Sequence, residues 1–129
     1  MCYSSCFSMD TTNEDNLVVS GHLDGTLRLW SVITGQLVHQ IKDLHDGLIT
    51  SVSISNDNQY VLTNSQDNTL QYVDLRTYKV LKRFESDHYT NTSQTNKACL
   101  SAGAEYVLVG GKEKIIVFNT KTAEVIVVY

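Results

Sequence analysis

The sequence predicts an all-β chain made of three copies of one four-stranded antiparallel unit, and three observations carry that prediction. First, the chain repeats on itself. "LVVSGHLDGTLRLWSVITGQLVHQI" (Leu17 to Ile41) lies on "YVLTNSQDNTLQYVDLRTYKVLKRF" (Tyr60 to Phe84) without a gap, and the second copy lies on Tyr106 to Tyr129 with one residue lost near Glu113. Self-similarity at a fixed period is the mark of a repeat architecture. Second, apolar and polar residues alternate at the period of two that a strand requires. Third, zero prolines and seven glycines among many Asn, Asp, Ser and Thr residues point to many short turns built by Gly and Asx chemistry.

The elements follow in order. Leu17 to Gly21 is a strand that reaches Asp24-Gly25, a pair supplying the positive φ angles of a tight hairpin turn. Leu27, Arg28 and Leu29 alternate in the returning strand, and a third strand closes at Ile41. Asp67-Asn68 repeats the turn in the second copy, where Val61, Thr69, Leu70 and Thr77 match Val18, Thr26, Leu27 and Thr34. A short strand precedes each copy, at Cys2 to Ser8, Ile49 to Ser55 and Lys97 to Ser101, each expected to close on a Ser followed by a turn ("FSMD", "ISND", "LSAG"). The expected organisation is one domain over residues 1–129, with units at about 2–42, 45–84 and 97–129 and a polar, mobile loop at 85–96.

Composition narrows the function. A chain of 129 residues supports one core, and a net charge of -4 gives no electrostatic footing for nucleic acid. The start "MCYSSCFSMD" lacks the basic and long apolar stretches of a secretory signal, and runs such as "VIVVY" are far shorter than a membrane span, so an intracellular, soluble chain is expected. Three cysteines make no disulfide framework, and Cys2 and Cys6 have no second ligand pair beside them, so neither zinc nor another cofactor is expected.

His22 and Asp24 invite a catalytic reading, that of a small hydrolase. A general base needs a nucleophile or metal and an orienting group, and no G-x-S-x-G, H-E-x-x-H or Cys-His arrangement accompanies them. Asp24 recurs as Asp67, which is what a turn residue does. Trp30 reads as a strand-end anchor, and Gly110-Gly111 lacks the spacing of a phosphate loop. The expected protein is not an enzyme.

Four-stranded repeats of about 43 residues, with Trp30-Ser31, Val73-Asp74 and Phe118-Asn119 closing the third strands, resemble the blades of WD-repeat β-propellers. The resemblance implies a buried hydrogen-bonded chain of a His ahead of the blade, a Ser or Thr on its second strand, the turn Asp and the Trp. The second blade then offers His45, Thr63 and Asp67, with Val73 in place of the Trp. The first offers Ser20, Asp24 and Trp30, its His falling ahead of Met1 and His22 being only a strand exit. The third, with Val109, Glu113 and Phe118, has lost the chain.

"VVSGHLDGTLRLW", "YVDLRT" and "LSAGAEYVLVGG" are similar to the C-terminal propeller of the autophagy-related protein 16 family. That resemblance implies a non-enzymatic scaffold, cytoplasmic and peripheral at autophagosomal or other internal membranes, that supports autophagosome formation and lipid conjugation of ubiquitin-like modifiers. Its implied partners are membrane-associated receptors and the autophagy protein 5 and 12 complex, which the full-length family binds through an amino-terminal segment. A generic WD-repeat adaptor, such as a ubiquitin-ligase substrate receptor, is the alternative.

Leu23 in the first hairpin turn and Leu48 in the loop before the second blade are apolar where polar residues are expected, and both loops open on one face. With Tyr89 of the polar insertion they form the expected partner-binding patch. Three blades leave two apolar faces bare, so completion by further blades or self-association is expected.

Overall fold

The computed structural model describes residues 4–14 and 16–129. Twelve strands form three antiparallel sheets of four. Sheet one is β1 (Cys6–Thr11), β2 (Leu17–His22), β3 (Leu27–Ser31) and β4 (Leu37–Ile41). Sheet two is β5 (Ile49–Ile54), β6 (Tyr60–Ser65), β7 (Leu70–Asp74) and β8 (Lys79–Phe84). Sheet three is β9 (Ala98–Leu100), β10 (Tyr106–Gly110), β11 (Ile115–Asn119) and β12 (Val125–Val128). Each sheet runs in sequence order, and β1, β5 and β9 stand side by side while β4, β8 and β12 form the far edges. The registers of sheets one and two coincide, bulge included: Val19 faces Leu29 as Leu62 faces Tyr72, and β1 and β5 both slip at their second residue.

The first strand differs from the expectation. It runs to Thr11 rather than closing at Ser8. The residue that closes it is Thr12, whose Oγ1 accepts the Leu17 N–H at 3.1 Å, as Ser55 Oγ accepts from Tyr60 and Ser101 Oγ from Tyr106, both at 3.0 Å. Serine and threonine hydroxyls serve this turn equally, so residue type alone did not fix the place. Ser8 lies inside the strand, where its Oγ accepts the Val52 N–H at 3.1 Å and Asp10 Oδ2 accepts the Ile54 N–H at 2.8 Å. One matching brace joins sheets two and three, from Ala98 N–H to Ser51 Oγ at 3.1 Å.

Sheet two is covered on both faces, which is why β6 and β7 are almost wholly buried. Ile49, Val61 and Val73 pack toward sheet one, against Val19, Leu27 and Leu29. Leu62, Leu70 and Tyr72 pack toward sheet three, against Val107, Ile116 and Phe118. Phe84 and Phe118 meet across that second boundary with ring centroids 5.5 Å apart, tilted by 59°. Fully burying such a side chain contributes roughly 1.5–3 kcal/mol, so these two layers hold the sheets together.

Candidate functional site: one loop face and the polar chains beneath it

The β2–β3 and β6–β7 turns and the loops leading into β5 and β9 gather at one end of the sheets. Gly25 carbonyl accepts the His45 N–H at 3.2 Å, Leu48 carbonyl accepts the Gln66 N–H at 2.9 Å, and Asn68 Oδ1 accepts the Asn91 N–H at 2.8 Å. Gly25 has φ 73°, and a Cβ there would lie 2.0 Å from the His45 carbonyl oxygen, so glycine is required twice over. The matching Asn68, φ 67°, has room for a side chain and uses it to hold the insertion.

In sheet two the turn sits over a buried polar chain. His45 Nδ1–H donates to Asp67 Oδ2 at 2.9 Å, since a carboxylate only accepts, and Nε2 lies 2.8 Å from Thr63 Oγ1. Asp67 also accepts from Thr69 N–H at 2.9 Å, Thr69 Oγ1–H at 2.7 Å and Asp46 N–H at 3.1 Å. Burial alone would raise the Asp67 carboxyl; the bonds from His45 and Thr69 outweigh it and hold the group well below the ordinary carboxylate range. Val73, in the position of the Trp, is fully buried among the aliphatic core.

Sheet one solves the same place differently. Trp30 Nε1–H donates to Ser20 Oγ at 2.8 Å, Ser20 Oγ lies 2.8 Å from His22 Nε2, and His22 Nδ1–H donates to the Ser4 carbonyl at 3.0 Å. His22 is 2% exposed and is a link in this chain, a correction to its reading as a mere strand exit. Its signal was present: Ser20 and His22 are two apart in a strand and therefore share a face. Asp24 does not reach His22. Its carboxylate accepts from Arg28 at 3.0 Å and from the Thr26 N–H at 3.1 Å. Partial burial alone would raise that carboxyl; the hydrogen bonds from Arg28 and Thr26, with the Arg28 charge, together outweigh it and hold the group below its ordinary value. Gln71 matches Arg28 in sheet two and donates to the Leu44 carbonyl instead.

Of the three residues expected to form a partner-binding patch, two are buried and one is exposed. Leu23 is 53% exposed, whereas Leu48 is 5% and Tyr89 2% exposed. Tyr89 enters the core between sheets two and three, and its hydroxyl donates to Asn64 Oδ1 at 2.5 Å. Asn91 is buried as well, its amide donating to Thr50 Oγ1 at 3.0 Å, so the 85–96 insertion is fastened rather than loose. Among the described residues no three His, Cys, Asp or Glu side chains are placed to hold a metal ion, and no helix is long and apolar enough to cross a membrane. Cys2 lies outside the described residues.

The profile described as "WD domain, G-beta repeat" matches residues 2–31 and 35–74, more than half of the chain. Protein tipD of Dictyostelium discoideum is 33% identical over 132 residues, covering 97% of this chain and 21% of that protein. Autophagy-related protein 16 of Arabidopsis thaliana is 32% identical over 112 residues, covering 87% and 21%. Eukaryotic translation initiation factor 3 subunit I of Eremothecium gossypii is 35% identical over 94 residues, covering 73% and 25%. The chain thus spans about a fifth to a quarter of these curated relatives. The crystal structure of RRP9 WD40 repeats superimposes with a TM-score of 0.85 at 16% identity, over 99% of this chain and 39% of that one.

Proposed function

The chain belongs to the WD40 repeat family, and from that premise we propose that this protein-interaction module is part of the propeller of an autophagy protein 16-like protein. In this reading it presents the Leu23 face to a protein partner at internal membranes and supports lipid conjugation of ubiquitin-like modifiers there. The observation that carries it is Leu23 itself. A large aliphatic side chain 53% exposed at a hairpin tip is held in place by a fixed backbone, since Leu23 N–H donates to the Ser5 carbonyl at 2.9 Å and Gly25 N–H to the His22 carbonyl at 3.2 Å. A rigidly presented apolar side chain over buried polar chains is the arrangement of an interface anchor. The relatives named autophagy-related support the assignment of pathway. Tyr89 and Leu48, being buried, have no part in the contact. Further blades or a second copy would cover the outer faces of sheets one and three, where Trp30 is only half-buried and Ile115 is 52% exposed.

A second reading, a scaffold subunit of a translation initiation complex, is supported by the match to initiation factor 3 subunit I. One experiment separates them. In cells lacking the endogenous gene, the protein carrying Leu23→Asp is expected to reach wild-type levels, because an exposed substitution shifts stability by only about 0.5 kcal/mol, while lipid conjugation falls roughly threefold or more. Unchanged conjugation removes Leu23 from the interface. Sedimentation of the wild-type protein with initiation complexes, and no conjugation defect on deletion of the gene, overturns the autophagy assignment in favour of the second reading.

A further inference from the structure

At the end of the sheets opposite Leu23, the two inter-sheet boundaries are built from matching positions, yet one is closed and the other open. Between sheets one and two, the Tyr78 ring in the β7–β8 turn stacks on the His39 imidazole of β4, with centroids 3.9 Å apart and planes 15° apart. Leu75 beside it is 7% exposed and belongs to the core. Between sheets two and three the same places carry Lys82 for His39, Ala123 for Tyr78 and Thr120 for Leu75. Backbone geometry fixes the correspondence. His39 pairs with Leu29 as Lys82 pairs with Tyr72. Tyr78 and Ala123 have φ of 60° and 61°, and each N–H donates at 2.8 Å, to the carbonyls of Asp74 and Asn119.

At this boundary, where Ala123 has no ring to lay on Lys82, lies a groove of about 420 Å³ lined by Tyr60, Tyr72, Leu81, Lys82, Thr120 and Lys121. Tyr60 and Tyr72 stack on each other at 5.0 Å and 27°, forming an aromatic wall. Thr120 is 6% exposed and its hydroxyl has no hydrogen-bond partner among the described residues. A buried hydroxyl left unpaired is destabilising, and a bound polar group would recover that loss. Lys82 and Lys121 stand exposed at the rim. Asp57, which also lines the groove, accepts from Ser55 Oγ–H at 2.5 Å and Gln59 N–H at 3.1 Å and stays ionised, so the two lysines leave the lining with a net positive charge.

We propose that this groove docks an aromatic side chain carried in an acidic segment of a partner protein, which takes in trans the place that Tyr78 takes in cis one boundary earlier. The ring lies on the Lys82 stem as Tyr78 lies on His39, the tyrosine pair walls it, and a phenol or indole polar atom reaches Thr120. Acidic residues on either side of the ring meet Lys82 and Lys121. The site lies away from the Leu23 face, so it stands or falls independently of the autophagy assignment.

The test is a nitrogen–proton NMR titration of the chain with a peptide of one tryptophan flanked by two glutamates on each side. Shifts are expected at Gly103, Ala104, Thr120 and Lys121. A peptide with alanine for the tryptophan, or lysine for the glutamates, is expected to bind roughly tenfold more weakly. Ala123→Tyr should fill the groove from within and abolish the shifts without lowering the thermal midpoint. Lys82→Glu, at an exposed position, should weaken binding roughly tenfold or more by placing like charges together, and it decides the matter where Ala123→Tyr fails to fold. Absence of shifts at these residues, or shifts of equal size in Lys82→Glu or in a folded Ala123→Tyr, overturns the proposal.

Discussion

The boundary between sheets one and two and the boundary between sheets two and three fill one slot by opposite means. At the first, β5 begins early and Ile49 presses onto Gly21 so closely that a Cβ on Gly21 would sit 2.4 Å from Ile49 Cγ2. At the second, the position matching Gly21 is Asn64, β9 begins only at Ala98, and the Ile49 slot is taken by Tyr89 from the insertion. An aliphatic side chain from a strand closes the slot with no polar atoms. An aromatic from a loop closes it with a hydroxyl that needs Asn64, and the cluster leaves Asn64 Nδ2 and Asn91 Oδ1 without partners among the described residues. A strand start is therefore replaceable by a loop that supplies an aromatic of sufficient volume, at the cost of burying polar atoms that the strand does not bring.

That comparison breaks most readily at Tyr89. Tyr89→Ala is expected to destabilise the chain by about 3–5 kcal/mol, the range for truncating a buried aromatic. Tyr89→Phe, which keeps the volume and removes only the bond to Asn64, should cost about 1–3 kcal/mol. Urea unfolding of both variants checks this. If Tyr89→Ala costs no more than a surface change, the insertion is not part of the core and the two boundaries are not equivalent.

The polar chains sharpen the contrast at a smaller scale. Asp67 has 13% of its side chain exposed and is held by His45, whereas Asp24 has 41% exposed and is held by Arg28. The folded Asp67 carboxyl lies below its unfolded value of about 3.9. As pH falls, the unfolded chain therefore takes up the proton first. The stabilisation is complete above about pH 5 and is lost as pH falls through the unfolded value toward the folded one. Asp67→Asn is expected to cost about 1–3 kcal/mol at pH 7 and to flatten the decline of stability below pH 5. Asp24→Asn should leave that decline nearly as it is, because solvent screens the exposed pair. Thermal midpoints between pH 7 and pH 2 distinguish the two, and equal slopes for both variants would show that burial of Asp67 is not what separates the networks.

The strands of sheets one and two were legible because alternation and turn chemistry point the same way along Leu17–Ile41 and Tyr60–Phe84. The first strand was misplaced because Ser8 and Thr12 both suit a turn, and only the bonds from Ser8 and Asp10 to the β5 backbone show that the strand continues. His22 reads as a strand exit in the sequence, although its spacing from Ser20 places both on one face. The blade pattern places its histidine ahead of the first strand, whereas in sheet one the histidine stands at the end of the second. Leu48 and Tyr89 look exposed in the sequence because they stand in polar loops, yet an apolar side chain in a loop is equally suited to plug a gap beneath it. Whether a gap exists depends on where neighbouring strands begin, and local sequence does not carry that. The difference between Tyr78 and Ala123 was visible as letters in the repeat, but its meaning required knowing that His39 lies under the ring.

The smallest expected effect comes from converting the closed boundary into a likeness of the open one. Tyr78→Ala removes the stack on His39, and since Tyr78 is only half-buried the loss is expected at about 0.5–1.5 kcal/mol, a shift of a few degrees in thermal midpoint. The opened groove would differ from its counterpart in chemistry: Leu17 and Leu29 match Tyr60 and Tyr72, Leu75 matches Thr120, and Arg76, 3.4 Å from Asp74, matches Lys121. The acidic tryptophan peptide should therefore shift the resonances around His39 in Tyr78→Ala, more weakly than those around Thr120, because no hydroxyl awaits the ring and Arg76 is already paired. Equal affinity at both grooves would show that stacking and volume alone govern the site, leaving the tyrosine wall and the Thr120 hydroxyl without influence on what enters it.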